Sequence, residues 1–335
     1  MERPHRGRGS RSNETTARSG RRMLAVASSG GHFKQLVSLV QRIPHLGVVT
    51  WLTYDMGLSE ELLIAAGRAH ERVVFAPYAA PRDIVNLSRD ARVAMQLLRD
   101  EPFDLVLSTG AGIAVATLPA ARARGIRAVF IESATRAEGP SVSGRILQRV
   151  PGVELYTQNP GYHRRWRDAG SVHDEFEAGP SHAPSGLRSL VVTLGTIRPY
   201  GFRRLVRHLL TVLPADVDVL WQTGATDTSG LPIVAYDQVP GPELEAAIRA
   251  ADVVVAHAGT GTALTAFEAG QCPILVPRRR AGGEHVDDHQ VVTARALAAR
   301  GLAVYAEVEQ IDLPLLEQAA TQTVTRRDQV PPLRL

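Results

Sequence analysis

The sequence contains a single cysteine, only 5% aromatic residues and no long uninterrupted hydrophobic segment. Because one cysteine cannot form an intramolecular disulfide, Cys272 favours a reducing compartment such as the cytoplasm, although it could equally be a small core residue. The longest stretch without charge, residues 105–121, is interrupted by glycines and a proline and does not predict a membrane span. The apolar residues 23–27 are too few for the core of a signal peptide, so any membrane contact should be peripheral.

The basic charge is concentrated at the N-terminus. Residues 1–22 carry seven arginines against two glutamates, a net charge of +5, so the rest of the chain contributes −1 to the total of +4. A near-neutral body argues against nucleic acid as a partner, since a nucleic-acid-binding surface needs clustered Lys and Arg. The basic leader could contact anionic lipid, or it could be a solvated tail or an extension upstream of a true start at Met23.

Short β-branched segments alternate with segments of helical period along the chain of 335 residues. Six predicted strands precede the Pro/Gly/Ser-rich stretch near residue 182 and six follow it: 23–27, 48–53, 72–76, 105–108, 128–131 and 153–157, then 190–194, 217–221, 233–236, 253–256, 274–276 and 303–305. Apolar strands separated by helices are typical of parallel sheets covered on both faces. We therefore predict a disordered basic leader (1–22), two doubly wound α/β domains (23–180 and 188–335) and a linker (181–187).

Polar, glycine-containing loops follow several predicted strands, at the edge where doubly wound sheets bind ligands. Residues 28–32 and 257–262 suit a diphosphate, because glycine lets backbone N–H groups approach an anion at the start of a helix. Neither loop has the Walker pattern, and the second lacks the third glycine of a dinucleotide-binding fingerprint. Each loop alone could also be a simple tight turn.

The residues after the second glycine loop suit the rest of a nucleotide sugar. Glu268 lies about two helical turns beyond Gly261 and could accept hydrogen bonds from a ribose, or it could be a solvated carboxylate. The segment Asp287-Asp288-His289-Gln290 could bind sugar hydroxyls, or it could be a polar helix start. The pair Asp216 and Asp218 resembles a metal-binding DxD motif but stands at a strand end, and we expect no required metal.

Five segments together resemble a known glycosyltransferase family. ADVVVAHAGTGTALTAFEAGQCPILVPRR followed by DDHQ, and VVTLGTIRPYGFRRLV, are similar to the catalytic subunit of the eukaryotic enzyme that adds the second GlcNAc to dolichyl-diphosphate-GlcNAc. SSGGHFKQL, LSTGAGIAVATLP and FIESATRAEGPSVSGRIL resemble its membrane-recruiting acceptor subunit. The resemblance covers about residues 23–310 and implies that the chain is a single-chain fusion of both subunits. Bacterial relatives act in exopolysaccharide and capsule assembly, and the peptidoglycan GlcNAc transferase is a more distant relative of the same GT-B fold.

The resemblance implies a GT-B fold of two Rossmann-like domains facing a cleft, and a hexosyltransferase that takes a UDP-sugar such as UDP-GlcNAc. The acceptor would be a polyprenyl-diphosphate-linked sugar in cell-surface polysaccharide or glycolipid biosynthesis. No cofactor is expected, since the UDP-sugar is a substrate, and no partner subunit is expected. The implied donor-binding residues are Gly195, Thr196, Val239, His257, Gly259, Thr260, Gly261, Glu268, Asp288, His289 and Gln290; the implied acceptor-binding residues are Ser29, Gly30, Gly31 and Arg136.

An inverting transfer needs a base for the acceptor hydroxyl and a stabilising environment for the departing diphosphate. His32 is the first candidate for the base because its ordinary pKa lies near working pH, and Glu132 is the second. His32 could instead bind the acceptor phosphate. Without a metal, helix N-termini and either Arg198 or residues 278–280 would stabilise the leaving group, although an arginine run can also be a solvated patch.

The sequence leaves open how the protein contacts the membrane and which activity it has. The membrane helix of the eukaryotic acceptor subunit has no counterpart here, but the amphipathic segment 82–99 could lie on a bilayer or simply pack on its own sheet. We expect a cytoplasmic protein that associates peripherally with the inner face of the plasma membrane. Two other functions fit the same fold: a UDP-GlcNAc 2-epimerase, and a non-catalytic subunit, against which an intact Glu268 and the set Asp288-His289-Gln290 argue.

Overall fold

The computed structural model describes residues 20–55, 58–79, 83–136, 139–159, 164–183, 186–195, 200–285 and 287–335. Two parallel sheets organise them, and helices cover both. The strands are β1 (Arg21–Ala27), β2 (Leu46–Tyr54), β3 (Arg72–Ala76), β4 (Leu105–Gly110), β5 (Arg127–Ile131), β6 (Val153–Thr157), β7 (Arg167–Asp168), β8 (Phe176–Ala178), β9 (Ser189–Thr193), β10 (Asp218–Gln222), β11 (Ala235–Tyr236), β12 (Val253–His257), β13 (Ile274–Val276), β14 (Val304–Tyr305) and β15 (Val324–Arg326).

Ten α-helices connect these strands in the described part of the chain. They are α1 (Gly31–Gln41), α2 (Leu58–Ala65), α3 (Ile84–Asp100), α4 (Gly112–Ala123), α5 (Val142–Leu147), α6 (Arg203–Val212), α7 (Gly241–Ala250), α8 (Thr260–Glu268), α9 (His289–Ala299) and α10 (Leu313–Ala319). Three short 3-10 helices span Val172–Glu175, Arg280–Gly282 and Val308–Gln310. None of these described helices is long and apolar enough to cross a membrane.

The strand order explains where a ligand can bind. The first sheet has the order β3-β2-β1-β4-β5-β6-β7 and the second the order β11-β10-β9-β12-β13-β14, and the strands within each sheet are parallel. In each sheet the order reverses once, between β1 and β4 and between β9 and β12. The crevice at such a reversal is the usual ligand site of an open α/β sheet. The glycine loops that follow β1 and β12 lie at these two points, and the predicted fold of two doubly wound domains is confirmed.

The central strands form because their side chains are apolar on both faces. All residues from Met23 to Ala27 and from Val253 to Ala256 are buried. The helices that follow pack on them through apolar faces, as α1 does with Phe33, Leu36 and Val40. Continuous burial of this kind is what a parallel sheet covered by helices requires.

The C-terminal tail returns to the N-terminal half of the molecule. β15 pairs with β8 in an antiparallel two-stranded sheet, and the N–H of Leu333 donates to the carbonyl of Arg42 at 3.0 Å. The guanidinium of Arg42 in turn donates to the carbonyl of Pro331 at 3.0 Å. Although the domain prediction assigns residues up to 335 to the donor side, these last residues therefore contact the acceptor side.

The amphipathic segment predicted near residues 82–99 is helix α3. It packs against α4 and buries Ala94, Leu97 and Leu98. Val85 and Met95 on the same helix remain exposed, at 64% and 41%. The helix thus contributes to its own domain while part of its apolar surface faces outward.

Candidate functional site

The two glycine loops meet across the cleft between the sheets. A β-carbon placed on Gly261, at the start of α8, would lie 3.6 Å from the α-carbon of Gly31, at the start of α1. Two helix N-termini therefore face each other there, and each presents unpaired backbone N–H groups and the positive end of a helix dipole. Gly30, just before α1, has a positive φ of 76°, a conformation that favours glycine. The arrangement can bind negative charge from either side.

His32 stands at this junction and is held in one orientation. Its Nδ1 lies 3.0 Å from the carbonyl oxygen of Thr109, while the Thr109 hydroxyl donates to the carbonyl of His32 at 2.8 Å. A β-carbon on Gly110, whose φ is +128°, would lie 3.1 Å from the imidazole. The absence of a side chain at Gly110 therefore leaves the space in which the ring lies.

The hydrogen bond to Thr109 fixes the tautomer of His32. A carbonyl oxygen only accepts, so Nδ1 carries the proton and Nε2 keeps a free lone pair. Desolvation, with a smaller contribution from the charge of Arg136, lowers the pKa of His32 below its ordinary value despite the opposing hydrogen bond to Thr109. His32 is therefore neutral at pH 7 and can accept a proton at Nε2.

Glu132, the second candidate for the base, is deeply buried. Only 1% of the residue is exposed, and its carboxylate accepts N–H groups from Ser141 at 2.9 Å and from Ser133 at 3.2 Å. Burial raises its pKa against the effect of these hydrogen bonds. The carboxylate joins the loop after β5 to the start of α5, which is an arrangement that supports the loop rather than presenting a base to solvent.

His257 explains two glycines of the donor side. A β-carbon on Gly259 would lie 2.3 Å from its Nε2, and one on Gly195 would lie 2.5 Å from its Cε1. No side chain fits at either position unless the imidazole moves. Burial, reinforced by the charge of Arg278, lowers the pKa of His257 to about 3, so the ring is neutral. Because the backbones at Gly195 and Gly259 both pack closely against the His257 ring, both loops require glycine there.

Arg278 is the one member of its arginine run that lies inside the donor side. It is 2% exposed, donates to the carbonyl of Leu194, and has no partner for its Nε among the described residues. Burial lowers its pKa to about 10, which leaves it charged at pH 7. Arg279 instead pairs with Glu307 at the periphery. A buried guanidinium with a free N–H is suited to bind an anion.

Glu268 is engaged by a residue of the opposite domain. The ammonium of Lys34, on α1, lies 2.5 Å from Glu268 Oε2 and donates to the hydroxyl of Thr265 at 2.9 Å. Thr265 donates to the carbonyl of Gly261 at 3.0 Å. Lys34 therefore links the acceptor-side helix to both the predicted ribose carboxylate and the donor loop.

A second pair crosses the cleft between Arg136 and Asp287, at 3.0 Å. Asp287 also accepts from Nδ1 of His289. Although burial opposes it, the hydrogen bond from His289 and the charges of His289 and Arg136 lower the pKa of Asp287 to about 2. The set His285, Asp287 and His289 brings ligand atoms within 4.8 Å of one another. Because both oxygens of Asp287 already have partners, these residues do not by themselves indicate a metal.

Three other predicted donor-binding residues have structural partners. Gln290 is buried and accepts the backbone N–H of Arg278 at 2.9 Å, and Asp288 accepts that of Arg280 at 2.9 Å. The N–H of Val239 donates to Gln222 at 2.9 Å.

The hydroxyl of Thr260 is buried with no partner among the described residues and could donate to a ligand. Thr196 and Arg198 lie outside the described residues.

Reasoning from the sequence gave Lys34 no role in the site, and it predicted neither the contact of Thr109 with His32 nor the pairing of Asp287, a predicted sugar-binding residue, with Arg136. Lys34 follows His32 by two residues and belongs to the same motif, and Asp287 opens the polar segment before α9. Thr109 carries a weaker signal, a polar residue at the end of a buried strand. Of the predicted acceptor-binding residues, Ser29, Gly30 and Gly31 lie at the start of α1, and Arg136 lies on the loop after β5, close enough for its charge to lower the pKa of His32.

Comparison with known proteins finds a glycosyltransferase domain and glycosyltransferase relatives. Residues 189–327 match the glycosyltransferase family 28 C-terminal domain. A relative from Parasynechococcus marenigrum (strain WH8102), the "UDP-N-acetylglucosamine--N-acetylmuramyl-(pentapeptide) pyrophosphoryl-undecaprenol N-acetylglucosamine transferase", is 26% identical over 331 residues and covers 89% of this chain and 86% of the relative. The protein of the same name from Chlorobium phaeobacteroides is 24% identical over 324 residues, with 87% of each chain covered.

Solved structures are similar in fold. Acinetobacter baumannii MurG superposes with a TM-score of 0.54 at 20% identity, covering 89% of this chain and 88% of that one. The S. aureus MnaA-UDP co-structure superposes with a TM-score of 0.57 at 11% identity, covering 93% and 92%. The predicted GT-B architecture is confirmed, and so is the predicted enzyme class, a UDP-sugar-dependent glycosyltransferase. The predicted fusion of two eukaryotic-type subunits stays a prediction.

Proposed function

We propose that the enzyme transfers N-acetylglucosamine from UDP-N-acetylglucosamine to a sugar carried on a polyprenyl diphosphate, with inversion at the transferred carbon and without a required metal. One observation carries the proposal: His32, whose Nδ1–H donates to Thr109 and whose Nε2 keeps its lone pair, directly follows Gly31 at the point where the loops at Gly31 and Gly261 meet. The names of the curated relatives, which specify this donor and a pyrophosphoryl-undecaprenol acceptor, support the choice of substrates.

On the donor side, the diphosphate binds at the N-terminus of α8. The backbone N–H groups of residues 259–261, the unpaired hydroxyl of Thr260 and the buried guanidinium of Arg278 are the groups that would hold it. These groups also stabilise the charge that develops as UDP leaves, which is the role a metal has in other transferases. Glu268 accepts the ribose hydroxyls, and His289, oriented by Asp287, contacts the sugar.

On the acceptor side, the N-terminus of α1 receives the lipid diphosphate and orients the acceptor hydroxyl towards Nε2 of His32. The hydroxyl oxygen attacks the anomeric carbon on the face opposite UDP, its proton passes to Nε2, and the bond to the UDP oxygen breaks. Attack from the opposite face inverts the configuration. Thr109 holds the tautomer that makes this transfer possible.

Exposed apolar side chains near the acceptor loops support peripheral contact with the membrane that holds the acceptor. Val142 and Ile146 on α5 are 65% and 42% exposed, and the arginines Arg145 and Arg149 lie beside them. Val85 adds to this surface from the start of α3. Apolar residues with basic neighbours suit a bilayer surface that contains anionic lipid.

The test is a transfer assay with the purified chain. Labelled UDP-GlcNAc, UDP-glucose, UDP-galactose and UDP-glucuronate are each offered with a polyprenyl-diphosphate-sugar in detergent and EDTA, and label in the lipid phase is counted. Transfer from UDP-GlcNAc in EDTA is the expected result. Repeating the assay with lipids that carry different sugars, a muramyl group among them, identifies the acceptor. Transfer only after Mg²⁺ addition contradicts metal independence, and conversion of UDP-GlcNAc with no acceptor present indicates an epimerase.

A further inference from the structure

Lys34 is the only lysine in the sequence; the other 37 of the 38 basic Lys and Arg side chains are arginines. This single lysine lies in the cleft, on the first turns of α1, two residues after His32. Its side chain is 15% exposed, and the Glu268 side chain with which it pairs is 39% exposed. A lone ammonium at the junction of two domains calls for a functional explanation, because neither Lys34 nor Glu268 is needed to fill a core.

The contacts of Lys34 form a continuous link between the two half-sites. Its Nζ donates to Glu268 Oε2 and to Thr265 Oγ1, and Thr265 donates to the carbonyl of Gly261. Both acceptors belong to α8, whose first turn forms the donor loop, whereas Lys34 lies on the helix that carries His32. A displacement of one loop relative to the other would break this link.

Glu268 retains capacity for a ligand while it pairs with Lys34. Its second oxygen, Oε1, makes no hydrogen bond within the described part of the chain, and a carboxylate has about four acceptor sites. The ribose can therefore bind while the ion pair persists. An ammonium suits this geometry, because its three N–H groups belong to one nitrogen that can reach both acceptors. A guanidinium spreads its N–H groups over a wider plane.

We propose that Lys34 is a positioning residue that keeps His32 in register with the donor diphosphate loop by joining α1 to Glu268 and Thr265 of α8. The inference rests on the proposed function. Its consequence is that Lys34 affects the rate of transfer more than the affinity for the donor, because misplacement of a reacting group by about 1 Å can cost two orders of magnitude in rate.

The principal variant is Lys34→Met, which removes the charge and keeps an unbranched side chain. The expected result is a fall in kcat of about ten- to a hundredfold, with the Kd for UDP within about threefold of wild type, and partial recovery of kcat in Lys34→Arg. Thr265→Val, which removes one of the two acceptors, should give a smaller fall in kcat. An unchanged kcat in Lys34→Met overturns the proposal, as does a tenfold weaker Kd with unchanged kcat, which would make Lys34 a donor ligand.

Two further measurements keep the test decisive. Small-angle scattering of Lys34→Met without ligand should give a larger radius of gyration than wild type, and equal values contradict a role of Lys34 in holding the two domains together. Should the variant not fold, acetylation of folded wild type removes the same charge from the only lysine, and reductive dimethylation, which keeps the charge, is the control. Absence of transfer by unmodified wild type would contradict the proposed function, whereas normal transfer after complete acetylation of Lys34 would contradict this inference alone.

Discussion

Nδ1 of His32 donates to the carbonyl oxygen of Thr109 across 3.0 Å, which leaves Nε2 of the same ring as the unprotonated nitrogen. If this nitrogen is the general base, His32→Ala should lower kcat by at least about a hundredfold, the usual contribution of such a base. The Kd for UDP should change little, because His32 lies on the acceptor side. Steady-state transfer kinetics and UDP titration calorimetry measure the two quantities.

The control is His70→Ala, since His70 is exposed and lies outside the site. The pH profile adds a second check: burial lowers the pKa of His32, so the fall of kcat/KM in acid, where the imidazole becomes protonated, should have its midpoint below that of an ordinary histidine. Loss of activity already above pH 7, or equal losses of kcat and UDP affinity in His32→Ala, would remove His32 from the role of base.

Glu132→Gln separates the two candidate bases. The Glu132 carboxylate accepts N–H groups from Ser133 and Ser141, and an amide can accept only through its oxygen, so we expect a lower melting temperature. We expect kcat at 25 °C to fall much less than in His32→Ala. A fall of a hundredfold or more in a variant with an unchanged melting temperature would instead make Glu132 the base.

Gly259→Ala should destabilise the donor side through His257. The N-cap residue Gly259 has a φ of −87°, which alanine adopts without strain, so the only obstacle is the imidazole 2.3 Å from the new β-carbon. We expect a lower melting temperature and weaker UDP binding. In a His257→Ala background the same Gly259→Ala change should cost much less stability, and equal costs in the two backgrounds would show that His257 is not the cause.

Much of the sheet architecture is predictable from the sequence, because buried parallel strands are short apolar segments. The predicted strands 72–76, 153–157 and 274–276 coincide with β3, β6 and β13. β8 and β15 were beyond prediction, since each has three residues, no alternation, and a partner far away in the chain.

The loops of the site were predictable from the sequence, but the contacts between the two domains were not. A motif reveals which residue types follow a strand, and the loops at His32 and at Gly261 are recognisable in this way. The contact between Lys34 and Glu268 joins residues 234 positions apart and depends on how the two domains dock, which no local pattern encodes. The same holds for Arg136 and Asp287, 151 positions apart.

Asp287→Asn tests the second cross-cleft contact. The substitution removes the charge that pairs with Arg136 and weakens the hydrogen bond that orients His289. We expect KM for the UDP-sugar to rise several-fold, on the scale of a partly exposed charged hydrogen bond. Because the pKa of Asp287 is about 2, its carboxylate stays charged from pH 5 to pH 8. A KM equal to that of wild type would mean that His289 does not contact the sugar.

His173 should make the protein sensitive to acid. It is buried on the 3-10 helix Val172–Glu175, where its ring meets Phe267 of α8 edge-on, and its Nε2 has no hydrogen-bond partner among the described residues. Burial lowers its pKa to about 3, whereas the unfolded chain has the ordinary value near 6.5. Between these values the unfolded state binds the extra proton, so the free energy of unfolding falls as pH decreases from 6.5 towards 3.

His173→Leu cannot take up this proton, and the drop in melting temperature between pH 7.5 and pH 5 should be smaller than in wild type. His70→Leu, at an exposed position, should keep the wild-type drop, and the same drop in His173→Leu would assign the acid sensitivity to other buried histidines such as His257.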